Sequence, residues 1–333
     1  MAGNGKLKLG LYWAASCGGC EIAVVELREK ILDLDAAAEI LFWPVAMDFK
    51  VKDVEAMPDG HIDVCLFNGA IRTSENEHMA HLLRRKSKVL VAFGSCAYEG
   101  CIPGLANLFD RQSVFAHAYL EAPTVDNPQG VLPQPVTQMP EGEIEIPRFY
   151  NTVKTLDQVT EVDYYVPGCP PQPHQIWAVV EAILGGNLPP RGSVVGAGEK
   201  TVCDECKRQR KEKRIRKFYR YHEIIPDPTE CLLDQGIICA GPATRSGCGA
   251  LCPQVNQPCR GCYGPPPNVM DQGAALLSAV ASVVDADTEE EAARIVGEIL
   301  DPVGTFYRFS LPASLLHRSR LRTKERSHAK NQH

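Results

Sequence analysis

LKLGLYWAASCGGCE, residues 7–21, runs from an apolar segment straight into a glycine-rich turn carrying two cysteines. LKLGLYW (7–13) is short, apolar and bounded by a loop, the pattern of a strand buried within a sheet. EIAVVELREKILDL (21–34) follows with helical spacing. The same unit recurs downstream. EILFW (39–43), IDVCLFN (62–68) and KVLVAFG (88–94) read as strands, and ENEHMAHLLRRKS (75–87) reads as a helix. After a proline-rich connection, VDYYV (162–166) precedes a helix over HQIWAVVEAIL (174–184). Strands alternating with helices imply an α/β chain built on a doubly wound parallel sheet of flavodoxin-like type.

The segment from about 110 to 160 has no clear periodicity and reads as a long surface excursion. From about 195 cysteine, glycine and proline dominate and strands disappear. We therefore expect a flavodoxin-like domain over 1–192, a small irregular domain over 193–312 organised by something other than a large apolar core, and a basic flexible tail over 313–333. Helices are expected near 269–284 and 288–300, the latter opening with Thr288 and Glu291 at capping-box spacing.

The chain has 333 residues, 44% of them hydrophobic, ample for two domains. A net charge of −6 argues against nucleic acid as a partner. No apolar run is long enough for a membrane span. The start, MAGNGKLKLGLYW, lacks the charged-then-apolar pattern of a secretory signal, which points to the cytoplasm. Fourteen cysteines in that reducing compartment read as metal ligands rather than disulfides.

Cys17 and Cys20 follow the first strand, Cys96 follows KVLVAFGS, and Cys169 follows VDYYVPG. Loops beyond the carboxyl ends of strands in a doubly wound sheet converge on one edge, so these four thiols should meet. Four thiolates suit an iron–sulfur cluster or zinc. The simpler reading leaves Cys96 and Cys169 as buried thiols and Cys17–Cys20 as a lone redox-active pair. Cys65, inside IDVCLFN, reads as core, and Cys101 is not expected to be a ligand.

Eight more cysteines lie within 203–262. Sequence order groups Cys203, Cys206, Cys231 and Cys239 in one site and Cys248, Cys252, Cys259 and Cys262 in another. Interleaving of the kind seen in bacterial ferredoxins stays open. Paired CxxC units also suit zinc. The uneven spacing, and three thiolate sites in one chain, favour an electron wire of clusters.

CGGCE, GSCA with GCIPG, and GCPP resemble the cluster-binding loops of nickel–iron hydrogenase small subunits. CDEC…ECLLDQGIICAGPATRSGCGALCP…PCRGCYGP resembles the two-cluster domain of the same family. Within that family the chain looks most like the cytoplasmic, viologen-reducing group associated with heterodisulfide reductase. Cys203 stands where periplasmic relatives typically have histidine, and Cys252 can supply a fourth medial ligand. The resemblance implies three 4Fe-4S clusters. The proximal one would use Cys17, Cys20, Cys96 and Cys169, the medial one Cys248, Cys252, Cys259 and Cys262, and the distal one Cys203, Cys206, Cys231 and Cys239. It also implies a hydrogenase large subunit holding the NiFe centre, and an iron–sulfur or flavin electron-acceptor subunit, as in a heterodisulfide-reductase-type complex. No catalytic residue is expected in this chain. Glu21 is a candidate for the proton path at the subunit interface, against the plain reading of a carboxylate at a helix N-terminus. An electron-transfer subunit of a complex-I-like or other non-hydrogenase oxidoreductase is the alternative. KRQRKEKRIRKFYR (207–220) could dock an acidic acceptor or simply form a solvated face.

Overall fold

The computed structural model describes residues 6–211 and 214–316. Most of the expected tail, residues 317–333, lies outside the described residues.

The central sheet has five parallel strands: β1 (Leu7–Trp13), β2 (Ala38–Phe42), β3 (Ile62–Asn68), β4 (Ser87–Phe93) and β5 (Tyr164–Val166). Their order is β2-β1-β3-β4-β5. The direction of winding reverses between β1 and β3, and at such a switch the carboxyl ends of the strands open a crevice. Alternate side chains feed two apolar layers. Leu9, Leu11, Val64, Leu66, Val91 and Phe93 pack with Val24, Ile176, Val179 and Val180 from helices Gly19–Val25 and Pro173–Leu184. Tyr12, Phe67, Leu90 and Ala92 pack with Met79, Leu82 and Leu83 of helix Ser74–Lys86. Each such large apolar side chain contributes roughly 1.5–3 kcal/mol of burial. Cys65 is fully buried in this second layer, as its apolar neighbours predict.

Two expectations needed revision. The helix read over 21–34 is two helices, Gly19–Val25 and Lys30–Ala37, separated by a turn in which Arg28 takes a left-handed φ of 56°. The excursion also has structure of its own. It contains a helix at Arg111–Ala116, a solvent-exposed hairpin of Val136–Met139 with Gly142–Glu145, and a strand at Phe149–Lys154 that pairs antiparallel with Ile71–Thr73.

A separate apolar cluster gathers Val202, Phe218, Leu232, Ile237, Leu276, Val280, Ile295 and Phe306 around Cys239 and Cys259. Helices Gln272–Ala281 and Glu289–Gly297 flank it, each shorter than its sequence periodicity suggested. Thr288 Oγ1 accepts from Glu291 N at 3.2 Å, and Glu291 Oε2 reaches back to Asp287 N rather than to Thr288. Beyond these helices the chain returns to the sheet. Cys101 N donates to Phe309 O at 2.9 Å, and Gln158 Nε2 donates to Pro312 O at 2.8 Å. Pro312 lies so close to Gly100 and Gly104 that a Cβ on either would come within 2.2 Å of its ring.

Candidate metal centres

Three loops at the carboxyl edge of the sheet bring four cysteines together. Cys17 is exposed in the turn after β1, and Cys20 is buried in the first turn of helix Gly19–Val25. Cys96 sits in the short helix Ser95–Glu99 after β4. Cys169 follows β5 and precedes a cis proline bond. Backbone bonds hold the β4 and β5 loops in register, Gly94 N to Val166 O and Ser95 N to Gly168 O, both at 2.8 Å. Gly94 has a φ of 84°, and a Cβ there would stand 2.4 Å from Cys20 Sγ. Only glycine lets the thiol approach this backbone. Burial drives the Cys20 thiol upward, and Cys96, Cys169 and Cys17 add to it in that order. Thiols so placed resist ionising together unless a cation joins them.

Cys101, not expected as a ligand, lies beside this group. Its Sγ is 3.7 Å from Cys169 Sγ. The hydrogen bonds to Cys169 and Cys96 hold the Cys101 thiol protonated, and the same contact pulls Cys169 down. Cys101 is buried with a left-handed φ of 48°. No local signal marked it, because its own N–H is held by Phe309 O, far along the chain.

The other eight cysteines continue inward. Cys203, Cys206, Cys231 and Cys239 line one small cavity with Leu232 and Gly241. Burial, then Cys239, raises the Cys203 thiol to about 12, with Cys231 and Cys206 adding smaller amounts and Arg210 opposing. Burial likewise raises Cys239 to about 11. Cys259 N donates to Cys239 Sγ at 3.3 Å. Burial raises Cys259 and Cys262 strongly. Cys259 is raised further by Cys239 and Cys262, while Cys262, at about 12, is raised by Cys169, Cys248 and Cys252. Cys262 thus lies near Cys169, Cys248 and Cys252, and Cys259 lies near Cys239 and Cys262. Ser95 Oγ bonds Cys262 O, and Tyr263 Oη donates to Gln175 Oε1 at 2.7 Å, clamping the two parts.

Polar side chains fix the loops. Gly247 N and Gly249 N, on either side of Cys248, donate to the two oxygens of Glu205 at 2.8 and 3.0 Å. Arg208 spends its guanidinium on Pro253 O, Asp227 O, Glu230 O and Asn256 Oδ1, at 2.7–3.0 Å. Arg216 pairs with Asp285 and Asp287, and Lys211 with Glu230. Much of the basic run is therefore a clasp within the chain. Glu212 and Lys213 of that run lie outside the described residues. Glu21 is buried, and its Oε2 accepts from Trp43 Nε1 at 2.6 Å. Burial raises its carboxyl, against the Trp43 bond.

All fourteen cysteines are free thiols, and four-thiol sets are the donor chemistry that iron–sulfur clusters take. Among the described residues, no three His, Cys, Asp or Glu side chains are grouped as a site for a single metal ion.

Residues 17–183 match the family described as NADH ubiquinone oxidoreductase, 20 Kd subunit. Nearly the whole chain is similar to the iron-sulfur subunit of the F420-non-reducing hydrogenase of Archaeoglobus profundus: 45% identical over 318 residues, 94% of this chain and 98% of that protein. The chain belongs to the hydrogenase small-subunit family. Another member, from the F420-non-reducing hydrogenase of Methanothermobacter marburgensis, is 37% identical over 316 residues, covering 93% of this chain and 96% of that one. One chain of a solved NAD+-reducing [NiFe]-hydrogenase superposes with a TM-score of 0.48 at 26% identity, covering 55% of this chain and 94% of that one. The 20 Kd match stops before Cys203, whereas the hydrogenase relatives match over nearly the whole chain. A hydrogenase small subunit works as part of an enzyme complex with a large subunit. No described helix is long and apolar enough to cross a membrane.

Proposed function

We propose that this small subunit relays electrons between the H2 site of its large subunit and an acceptor subunit through three 4Fe-4S clusters. Cys17, Cys20, Cys96 and Cys169 would hold the proximal cluster beside the NiFe centre of the large subunit. Cys248, Cys252, Cys259 and Cys262 would hold the medial cluster, and Cys203, Cys206, Cys231 and Cys239 the distal one. One observation supports this reading above the others: Cys203, Cys206, Cys231 and Cys239 line one cavity, Cys259 N donates to Cys239 Sγ, and Ser95, next to Cys96, bonds Cys262 O, so the three sets adjoin one another. When bound, each cluster supplies a one-electron site, so the pair of electrons from H2 passes singly.

The chain's own residues hold this path in place. Gly94 admits the Cys20 thiol to the backbone. Glu205 fixes the loop that carries Cys248, and Arg208 fixes the segments that carry Cys252 and Cys231. Cys17 and Cys169, exposed at the sheet edge, face outward where a large subunit would cover them. Glu21, buried beside Cys20, would hold a proton near that interface. The division into 1–192 and 193–312 follows the same logic, a sheet that presents one site and an irregular part built around two. The motif resemblance would make the acceptor an iron–sulfur or flavin subunit, of heterodisulfide-reductase type, in the cytoplasm, and the relatives named F420-non-reducing argue only against F420 as the acceptor. The test is anaerobic purification of the native complex, with iron, acid-labile sulfide, zinc and nickel analysis and EPR redox titration. About twelve irons per small subunit, nickel, and H2-dependent viologen reduction are expected. Zinc in place of iron, or iron without nickel and without H2 uptake, would sink the proposal.

A further inference from the structure

The electron path has a concave neighbour that the relay does not use. A cleft of about 340 Å³ opens between segment Phe218–Tyr221, the Ile237–Ile238 pair and the turn Glu298–Asp301. That volume suits a small molecule rather than a helix or a folded partner. Its apolar lining comes from Phe218, Ile237, Ile299 and Leu300, while Arg220, Arg260 and Arg308 supply three guanidinium groups and Glu298 and Asp301 two carboxylates.

Those charges are poorly compensated inside the chain. Arg260 stacks on the Tyr221 ring at 4.8 Å, and Arg308 Nε donates to Gly304 O at 3.0 Å. Among the described residues, neither arginine has a carboxylate within ion-pairing distance. The two carboxylates of the cleft also hold other groups. Glu298 accepts from Phe218 N at 2.7 Å and pairs with Arg294, and Asp301 caps Gly304 N at 2.9 Å. Arg308 has its guanidinium pulled down by burial and then by Arg260, with Asp301 and Tyr221 opposing only in part, so the two cations feel each other. Like charges held together beside an apolar wall mark a site that gains energy when an anion enters.

We propose that this cleft binds a small organic oxyanion, a carboxylate or phosphate on an apolar or aromatic body. The guanidinium groups take the oxyanion and the Phe218–Ile299 wall takes the body. Arg260 lies between Cys259 and Cys262 in sequence, and Ile238 precedes Cys239, so the occupant's charge sits beside those thiols. Its influence on electron flow rests on the cluster reading above, whereas binding itself does not.

The experiment is calorimetric titration of the anaerobically purified hydrogenase complex with phenyl phosphate, with inorganic phosphate and benzyl alcohol in parallel. One saturable site for phenyl phosphate is expected, tighter than for phosphate, with none for the alcohol. In Arg308→Gln and Arg220→Gln, with cluster EPR signals unchanged, affinity should fall about tenfold or more, the loss of one charge-assisted contact. Absence of saturation, or affinity unchanged in both variants, overturns the proposal. So does binding to the two-subunit hydrogenase that vanishes once the acceptor subunit is attached, because the cleft is then a protein-docking surface.

Discussion

Replacing Glu205 by alanine removes one carboxylate that holds both amides flanking Cys248. Each N–H···O⁻ bond of this kind contributes about 1.5–3 kcal/mol when shielded and much less when water can take its place. The Gly249 bond is exposed and the Gly247 bond half-buried, so Gly247 carries most of the effect. About 2 kcal/mol is expected in total, a factor of about 30 in the opening of the 246–250 loop. The assay is hydrogen exchange resolved to the peptide around Cys248 in the anaerobic complex. Exchange at Gly247 and Gly249 should quicken about 30-fold in Glu205→Ala while the central sheet keeps its protection. Glu205→Gln should fall between, because an amide oxygen accepts from one N–H while its NH2 group faces the other donor. Unchanged exchange in the alanine variant would refute the claim that this carboxylate holds the loop.

Gly94→Ala places a methyl 2.4 Å from Cys20 Sγ in a backbone conformation, φ 84° and ψ 162°, that costs a non-glycine residue about 1–3 kcal/mol, so the purified complex should lose roughly a third of its small-subunit iron; a full complement counts against the packing argument. Arg208→Ala leaves Pro253 O, Asp227 O and Glu230 O without their shared donor, and about 3 kcal/mol of destabilisation is expected, read as earlier thermal loss of the distal EPR signal; an unshifted transition contradicts it. Glu21 has a raised carboxyl, so the folded state binds its proton more tightly than the unfolded chain does, and stability is lost as pH rises from the ordinary carboxyl range through the raised value. Glu21→Gln should therefore gain thermal stability relative to the parent as pH increases from about 4.5 toward 8, and a pH-independent difference would show that the carboxyl does not titrate there.

The strands that build the site were readable because each is a compact apolar run ending close to a turn. IDVCLFN matches β3 residue for residue, and LKLGLYW matches β1. That order of elements was enough to send Cys17, Cys20, Cys96 and Cys169 to one edge. The break at Arg28 was not legible, because Val25 and Leu32 continue the helical spacing while standing 57% and 70% exposed, so the pattern counted side chains that face outward. The hairpin at 136–145 is exposed on both faces and leaves no alternation to read. Its neighbour Phe149–Lys154 becomes a strand only by pairing with Ile71–Thr73, far back in the chain. The position of Cys101 was hidden for a similar reason. Its place beside Cys169 depends on a backbone bond to Phe309, and no local spacing encodes a contact of that range.

That contact has a consequence for biogenesis. Cys17 and Cys20 leave the ribosome long before Phe309 and Pro312, yet those late residues hold the loop that backs their site. The sheet can fold while synthesis continues, as N-terminal units do. Its cysteine-bearing edge lacks this backing until residues 309–312 arrive and Pro312 settles against Gly100 and Gly104. Cysteines made early therefore belong to a pocket that closes late, which leaves it accessible to whatever loads it until translation of this segment is complete.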